Sequence, residues 1–441
     1  MTESSFRNAK LRNAFLIAYK GFADLAGKGS LFLVTIVAAR RLSSQAFGIF
    51  SLASALGWII AVASDFGIQL HLARAVARAP ANAARLLRVW LRVRLWTAGA
   101  ALAVVAVVLQ AGRWPAAYAV PIAVFALIYA CSGLIEFLHY FYRGLSRSDV
   151  ESSLTLWQRG GTLACGLAAL AWRPDVTVLA FAMLVPVVVT LAASVRIATR
   201  DGGGPRAGSI VGADLQVGPS TSDAWGPFRS DVWPIGAGIV LSALYFRIDV
   251  FLVQIWSGTE SVALYNAVFR LVEALRLFPA AVLAVTLPAL CRARDLRPLA
   301  RISVPLVAFA IVTTAVVSLA AGWMVPAIYG ARYAGAVPAF RILLIAFPLM
   351  SLNYALTHQL VGWDGQRAYA AICGAALVVN VAMNARLIPA WSIEGAAWST
   401  LGTELFLTAA CAGALWMRRS PLAAADPGGL QNAPQEDRVM V

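Results

Sequence analysis

Lys20, Asp24 and Lys28 stand at i, i+4 and i+8 inside the first apolar run of the chain. Successive members drift only about 40° around a helix, so all three share one face over about 12 Å. One carboxylate can neutralise only one of the two lysines, which leaves that face with a net positive charge. Arg270, Glu273 and Arg276 repeat the arrangement at i, i+3 and i+6 in a later run. Arg247 and Asp249 are two apart, on nearly opposite helix faces, and should not pair with each other. Arg159 and Arg341 are isolated cations, the latter close to the start of its run, and Glu404 is a carboxylate deep in the last run. An ionisable group at membrane depth costs at least about 2.5–3.5 kcal/mol on insertion scales, so each needs a partner, water or a function. The structural reading is a set of buried pairs that fix helix against helix. The functional reading is a watery, net-positive cavity, with Glu404, which desolvation readily keeps neutral, as a candidate proton carrier.

Bond-making chemistry finds no support. There is no Gly-rich phosphate loop, nucleophile elbow or HExxH. The three histidines, His71, His139 and His358, lack metal-ligand spacing, and the five cysteines lack CxxC spacing. No catalytic residue, metal site or cofactor is expected.

The elements that must hold these charges follow from composition. The chain is 60% hydrophobic and 13% charged, with a mean hydropathy of +0.74, against roughly 25% charged in soluble domains. It is an all-α polytopic membrane protein. The net charge of +15 points to arginine retained on the cytoplasmic side rather than to a nucleic acid. The first apolar run contains Lys20, Asp24 and Lys28 and no small-residue cleavage site follows it, so no cleavable signal is expected.

At about 20 apolar residues per crossing, twelve spans are predicted near 14–39, 45–65, 93–111, 116–139, 152–172, 176–196, 234–257, 262–285, 302–322, 337–360, 368–388 and 393–416. Basic residues concentrate after spans 2, 4, 6 and 8, which places both termini in the cytoplasm. Residues 28–56 and 247–275 align without a gap, 219 residues apart, with eight identities, and Lys28 falls on Arg247. The chain is therefore expected to form two six-helix lobes, 1–198 and 234–417, related by a pseudo-twofold axis along the membrane normal. A Gly- and Pro-containing cytoplasmic linker, 199–233, joins them, and 418–441 forms a disordered tail. Between spans 2 and 3, Leu70 to Arg94 mixes six arginines with Leu, Ala and Val. The segment reads either as positive-inside anchoring or as an amphipathic stretch on the inner leaflet.

The stretch Arg247-Ile-Asp249-Val-Phe-Leu-Val, followed by Ala263-Leu-Tyr265-Asn-Ala-Val-Phe-Arg270-Leu-Val-Glu273, resembles helices seven and eight of bacterial polysaccharide or O-antigen flippases. These belong to the multidrug/oligosaccharidyl-lipid/polysaccharide exporter superfamily. Arg41-Leu42 with Phe47-Gly48, Asp65-Phe66-Gly67, and Tyr329-Gly330 with Tyr333-Ala334 leading into Arg341 extend the similarity from about Lys20 to Leu415. The resemblance implies a lipid-linked oligosaccharide, usually on undecaprenyl pyrophosphate, moved from the cytoplasmic to the periplasmic leaflet of the inner membrane. The partners it implies are that glycan, the lipid bilayer, and polysaccharide polymerase or assembly proteins. Lys20, Lys28, Arg159, Arg247 and Arg270 are the expected lining of a cationic path; Asp24, Glu273 and Glu404 are the candidates for ion coupling. Three rivals remain. A multidrug and toxic-compound extrusion antiporter would want an acidic cavity for its cations. A lipid II flippase usually has two more helices. A polymerase or ligase would carry a large periplasmic loop, whereas the only long loop expected here is cytoplasmic.

Overall fold

The computed structural model describes residues 3–201, 233–292 and 295–424. Among them there is no strand, and seven helices precede the gap: α1 (Glu3–Arg41), α2 (Ser44–Asp65), α3 (Ile68–Arg78), α4 (Ala83–Ala111), α5 (Ala116–Gly144), α6 (Ser148–Trp172) and α7 (Val176–Asp201). Five follow it: α8 (Trp233–Leu275), α9 (Leu277–Arg292), α10 (Arg297–Tyr329), α11 (Val337–Gly362) and α12 (Gln366–Ala424). Most of the 199–233 linker and the chain after Ala424 lie outside the described residues. Helical structure continues to Asp201 and to Ala424, past both expected boundaries.

Among the described residues nine stretches are long and apolar enough to cross a membrane. Two of them are not single helices: Ile235–Thr286, with 52 residues, is interrupted at Gly258 and again at Arg276, and Gln366–Arg418, with 53, at Ser392. Each is about twice the length of one crossing. Ser148–Trp172 also has crossing length, with 25 residues, although Gln158 and Arg159 sit midway along it. Together the helices accommodate the twelve predicted spans. The turn expected at Gly258-Thr259-Glu260-Ser261 is tighter than its polar sequence suggests. Gly258 alone leaves the helix, at φ 83°, a left-handed value that glycine adopts without a Cβ penalty.

In the first half α1 packs on α6, α2 on α5, and α7 on both α5 and α6; in the second, α12 packs on α8 and α11, and α11 on α10. The two halves meet mainly where α2 lies along α8. Their shared core joins Phe47, Phe50 and Phe125 to Tyr265, Phe269, Tyr333 and Phe340. Gly48, on the first turn of α2, allows this approach, because a Cβ there would collide with the backbone of Thr259.

The Asp65-Phe66-Gly67 motif has a local explanation. Phe66 and Gly67 take left-handed conformations at φ 44° and 82° and turn the chain sharply out of α2. The Asp65 carboxylate then accepts the otherwise unpaired N–H groups of Gly67 at 3.2 Å and Gln69 at 3.3 Å, capping α3. Asp65 also lies 4.0 Å from Arg94. Arg94, expected among the positive-inside anchors, is instead fully buried in α4 and donates to the Ala61 carbonyl at 3.3 Å.

At the end of the bundle where α1 and α10 terminate, the halves exchange arginines. Arg40 donates from Nε to the Ile328 carbonyl at 2.7 Å and from its terminal nitrogen to the Ala327 carbonyl. Arg332 donates in return to the carbonyls of Leu42, at 2.6 Å, and Ala39. Tyr333 adds a bond to Ala39 at 3.2 Å and packs edge-on against Phe47. The last carbonyls of a helix lack internal partners and carry its negative dipole end, so a cation from the facing half suits both. This reciprocal clamp shuts one end of the interface. Hydrogen bonds to charged groups contribute about 1.5–3 kcal/mol each, so Arg40→Ala with Arg332→Ala should open this end by at least about tenfold in population. Labelling of a cysteine at Phe47 checks this; the same labelling rate in both backgrounds would refute a closing role.

A cationic cavity between the halves

Behind the clamp lies a cavity of about 790 Å³. Its walls come from α1 (Leu25 to Thr35), α2 (Trp58), α5 (Tyr129), α6 (Arg159), both arms of α8, the start of α9, and α11 and α12. No clamp residue lines it. Among the described residues the lining holds five basic side chains, Lys28, Arg159, Arg247, Arg270 and Arg276, against two acidic ones, Glu273 and Glu404, a formal excess of three.

The charges are arranged unequally. Glu273 is shared: Oε1 accepts from Arg247 Nη2 at 2.6 Å and Oε2 from Arg270 Nη1 at 2.9 Å. Arg247 is 3% exposed, and its guanidinium lies 5.0 Å from the Phe269 ring centre and 5.5 Å from that of Phe246. Arg276 sits at the break between α8 and α9, 4.2 Å above the Phe246 ring and 5.1 Å from the Tyr354 ring. Aromatic faces attract a cation without neutralising it. The Nε groups of Arg247, Arg270 and Arg276 are buried beneath the cavity surface without an acceptor, so it is the terminal nitrogens and the net charge of these guanidinium groups that the wall can present. Lys28 is exposed to the cavity, and Arg159 lies against Gly27, whose open side gives the arginine stem room beside α1. Such a wall offers many N–H donors and surplus positive charge, which suits a ligand rich in anionic oxygens.

Of the residues singled out in the sequence, Lys28, Arg159, Arg247 and Arg270 come together here with Glu273 and Glu404. The side chains of Lys20 and Asp24 lie outside the described residues. Glu404 is buried, and its carboxylate accepts from Asn353 Nδ2 at 2.7 Å, an amide rather than a cation. Asn353 in turn accepts from Thr408 at 2.8 Å. Asp249 points away from the cavity and accepts from the Tyr265 hydroxyl, which also meets Thr400 on α12 at 3.2 Å. Arg247 and Asp249 thus serve different neighbours, as their spacing requires. Arg341 lies outside the cavity, exposed, with a bond to the Ser318 carbonyl at 3.3 Å. His358 lines the cavity, and its Nδ1 is 2.6 Å from the Tyr354 carbonyl of its own helix. Arg276 was visible in the sequence as the third member of the Arg270 stripe. The aromatic seat that holds it, Phe246 with Tyr354, joins positions more than a hundred residues apart and left no local signal.

A family model described as "Polysaccharide biosynthesis protein" matches residues 12–294. No curated protein matches the chain. Among solved structures, the inward-facing conformation of a multidrug resistance MATE family transporter of the MOP superfamily aligns with a TM-score of 0.67 at 16% identity. It covers 92% of this chain and 96% of its own. The lipid II flippase MurJ, in an inward closed conformation, aligns with a TM-score of 0.62 at 10% identity, covering 93% and 90%. A MOP superfamily transporter from Pyrococcus furiosus, described with a binding pocket of reversed polarity, aligns at 0.58 and 16% identity, covering 92% and 94%. At these identities the likeness is one of fold.

Removing one member of a buried ion network strands its partners, at about 3–5 kcal/mol. Glu273→Gln should therefore lower the thermal midpoint in detergent clearly, and Glu273→Gln with Arg247→Gln should lower it by less than Glu273→Gln alone. A double-mutant cycle checks this, and additive losses would mean that the shared carboxylate is not what stabilises the pair.

Proposed function

Because the chain belongs to the polysaccharide biosynthesis protein family, we propose that this flippase-type transporter moves an undecaprenyl-pyrophosphate-linked oligosaccharide between the leaflets of the bacterial inner membrane. The observation that carries this reading is the cavity itself, lined by five basic side chains against two acidic. A pyrophosphate supplies anionic oxygens in the number that such donors can bind, and its strongly hydrated charge is what bars it from crossing lipid unaided. Organic cations, the cargo of a drug antiporter, would be repelled by the same wall.

Alternating access would start from the closure at the clamp. With both termini cytoplasmic, the Arg40–Arg332 clamp stands on the periplasmic side, and the cavity behind it is held away from the periplasm. The headgroup enters from the cytoplasmic leaflet, meets Lys28, Arg159 and Arg276, and is released outward once the clamp parts and the halves rock about the cavity. Arg247, Arg270 and Glu273 form the base of the site. Residues 1–198 and 234–417 act as the two rocking bodies, and 199–233 acts as the cytoplasmic strap between them. Among the candidates for ion coupling, Glu404 suits the role best. It faces the cavity and holds an amide, so it can gain or lose a proton or a cation without breaking an ion pair.

Charge reversal tests the reading. Lys28→Glu and Arg247→Glu should each reduce export of lipid-linked glycan by at least about tenfold, the scale of losing one charge-assisted contact. Export at the normal rate by both variants would exclude a cationic path. Glu404→Gln should leave the protein folded and able to bind glycan lipid, while making transport indifferent to an imposed ion gradient. A Glu404→Gln protein that still responds to the gradient would remove Glu404 from coupling. Rescue of cells depleted of their lipid II flippase would redirect the substrate assignment to lipid II.

A further inference from the structure

Outside the cavity, the densest unpaired charge among the described residues lies where α3 meets the start of α4. Helix α3 is pinned to the bundle by one stripe, Ile68, Leu72 and Val76, packed in a core with Trp90, Phe141 and Tyr142. Gly144 at the end of α5 makes room for it, since a Cβ there would stand 2.9 Å from the Val76 side chain. The stripe facing away carries Arg74 and Arg78, and the neighbouring outer face of α4 carries Arg85, Arg88 and Arg92; all five are exposed. None has a carboxylate partner among the described residues, and the sequence contains no acidic residue between Asp65 and Glu136.

The connection between α5 and α6 behaves differently. There Arg143 is paired with Glu151, and Arg147 lies 3.4 Å from Asp149. Arginines that only fix topology can be neutralised by neighbouring carboxylates in this way. Those of α3 and α4 are left free on rigid helices. One helical turn beyond Arg92, Leu95 and Trp96 are exposed, Trp96 at 80%, and the apolar outer face of α4 continues through Val104, Val107 and Val108. Tryptophan favours the level where headgroups meet acyl chains, so the arginine face lies at headgroup depth.

We infer that this face, Arg74, Arg78, Arg85, Arg88 and Arg92, is a docking surface for the phosphate headgroups of anionic membrane lipids. Guanidinium groups bind phosphate oxygens in pairs, and two parallel arginine rows offer several such forks to lipids already concentrated at that level. The surface does not depend on the cavity or on its cargo.

The test uses the full-length protein extracted from bilayers of phosphatidylcholine mixed with phosphatidylglycerol, with retained lipid counted by native mass spectrometry. Wild-type protein should retain phosphatidylglycerol in preference to phosphatidylcholine. Arg→Gln at all five positions should lower that preference by at least about tenfold, since each basic residue near an anionic surface contributes measurably. Arg→Lys at the five positions should keep most of it. Lys28→Ala, in the cavity, should leave it unchanged, which separates this surface from the proposed substrate site. If the fivefold variant does not insert, R74Q/R78Q and R85Q/R88Q each serve, with the thermal midpoint in neutral detergent as the control for folding. Equal retention by a folded Gln variant, or no preference in the wild type, would overturn the inference. So would binding of soluble polyglutamate to the wild type without any preference for phosphatidylglycerol, which would point to an acidic protein instead.

Discussion

Two guanidinium groups share one carboxylate in the wall of a helix bundle whose outer surface is apolar. Glu273 is the only anion within ion-pair distance of Arg247 and Arg270 among the described residues. A single carboxylate leaves the pair with a surplus positive charge that the bundle must accommodate. A cavity open to solvation and the rings of Phe246 and Phe269 suit that surplus, so the charge and the hollow lie together. Were a second carboxylate present, the network would be neutral, and the halves could close on it as an ordinary buried salt bridge. The cavity and its sign therefore share one origin.

The clamp at the other end uses arginine in the opposite sense. Arg40 and Arg332 meet helix-end carbonyls whose partial negative charge suits a cation, and both side chains also reach the surface, where their charge is solvated. The molecule thus places satisfied cations where it closes and unsatisfied cations where it stays hollow. The same residue type, with different acceptors, marks both states of the interface.

Much of this arrangement was legible in the sequence, because in lipid a charge is an anomaly that hydropathy exposes at once. The all-helical class, the gathering of Lys28, Arg159, Arg247 and Arg270 on one cavity, and the separation of Arg247 from Asp249 all follow from periodicity and from the cost of burying charge. What stayed hidden depended on partners distant in sequence. Arg94 looked like one more anchor among six arginines, since nothing near it shows that α4 carries it under Asp65 and Ala61. Glu404 could be seen to need a partner, but Asn353, an amide some fifty residues earlier, could not be foreseen. The clamp was invisible for another reason: its acceptors are main-chain oxygens, which no residue type announces.

That last feature shapes how the interface would look to genetics. To the clamp itself, Ala327, Ile328, Ala39 and Leu42 contribute only the carbonyl common to every amino acid. Exchanging a side chain there leaves the acceptor itself in place, and what constrains Ala39 and Leu42 is their packing in the core rather than the bond. The residue types that the clamp's bonds require are those of its three donors, Arg40, Arg332 and Tyr333. A mutational map of this surface would record the bonds only at their three donors, a contact that only one side of each bond specifies.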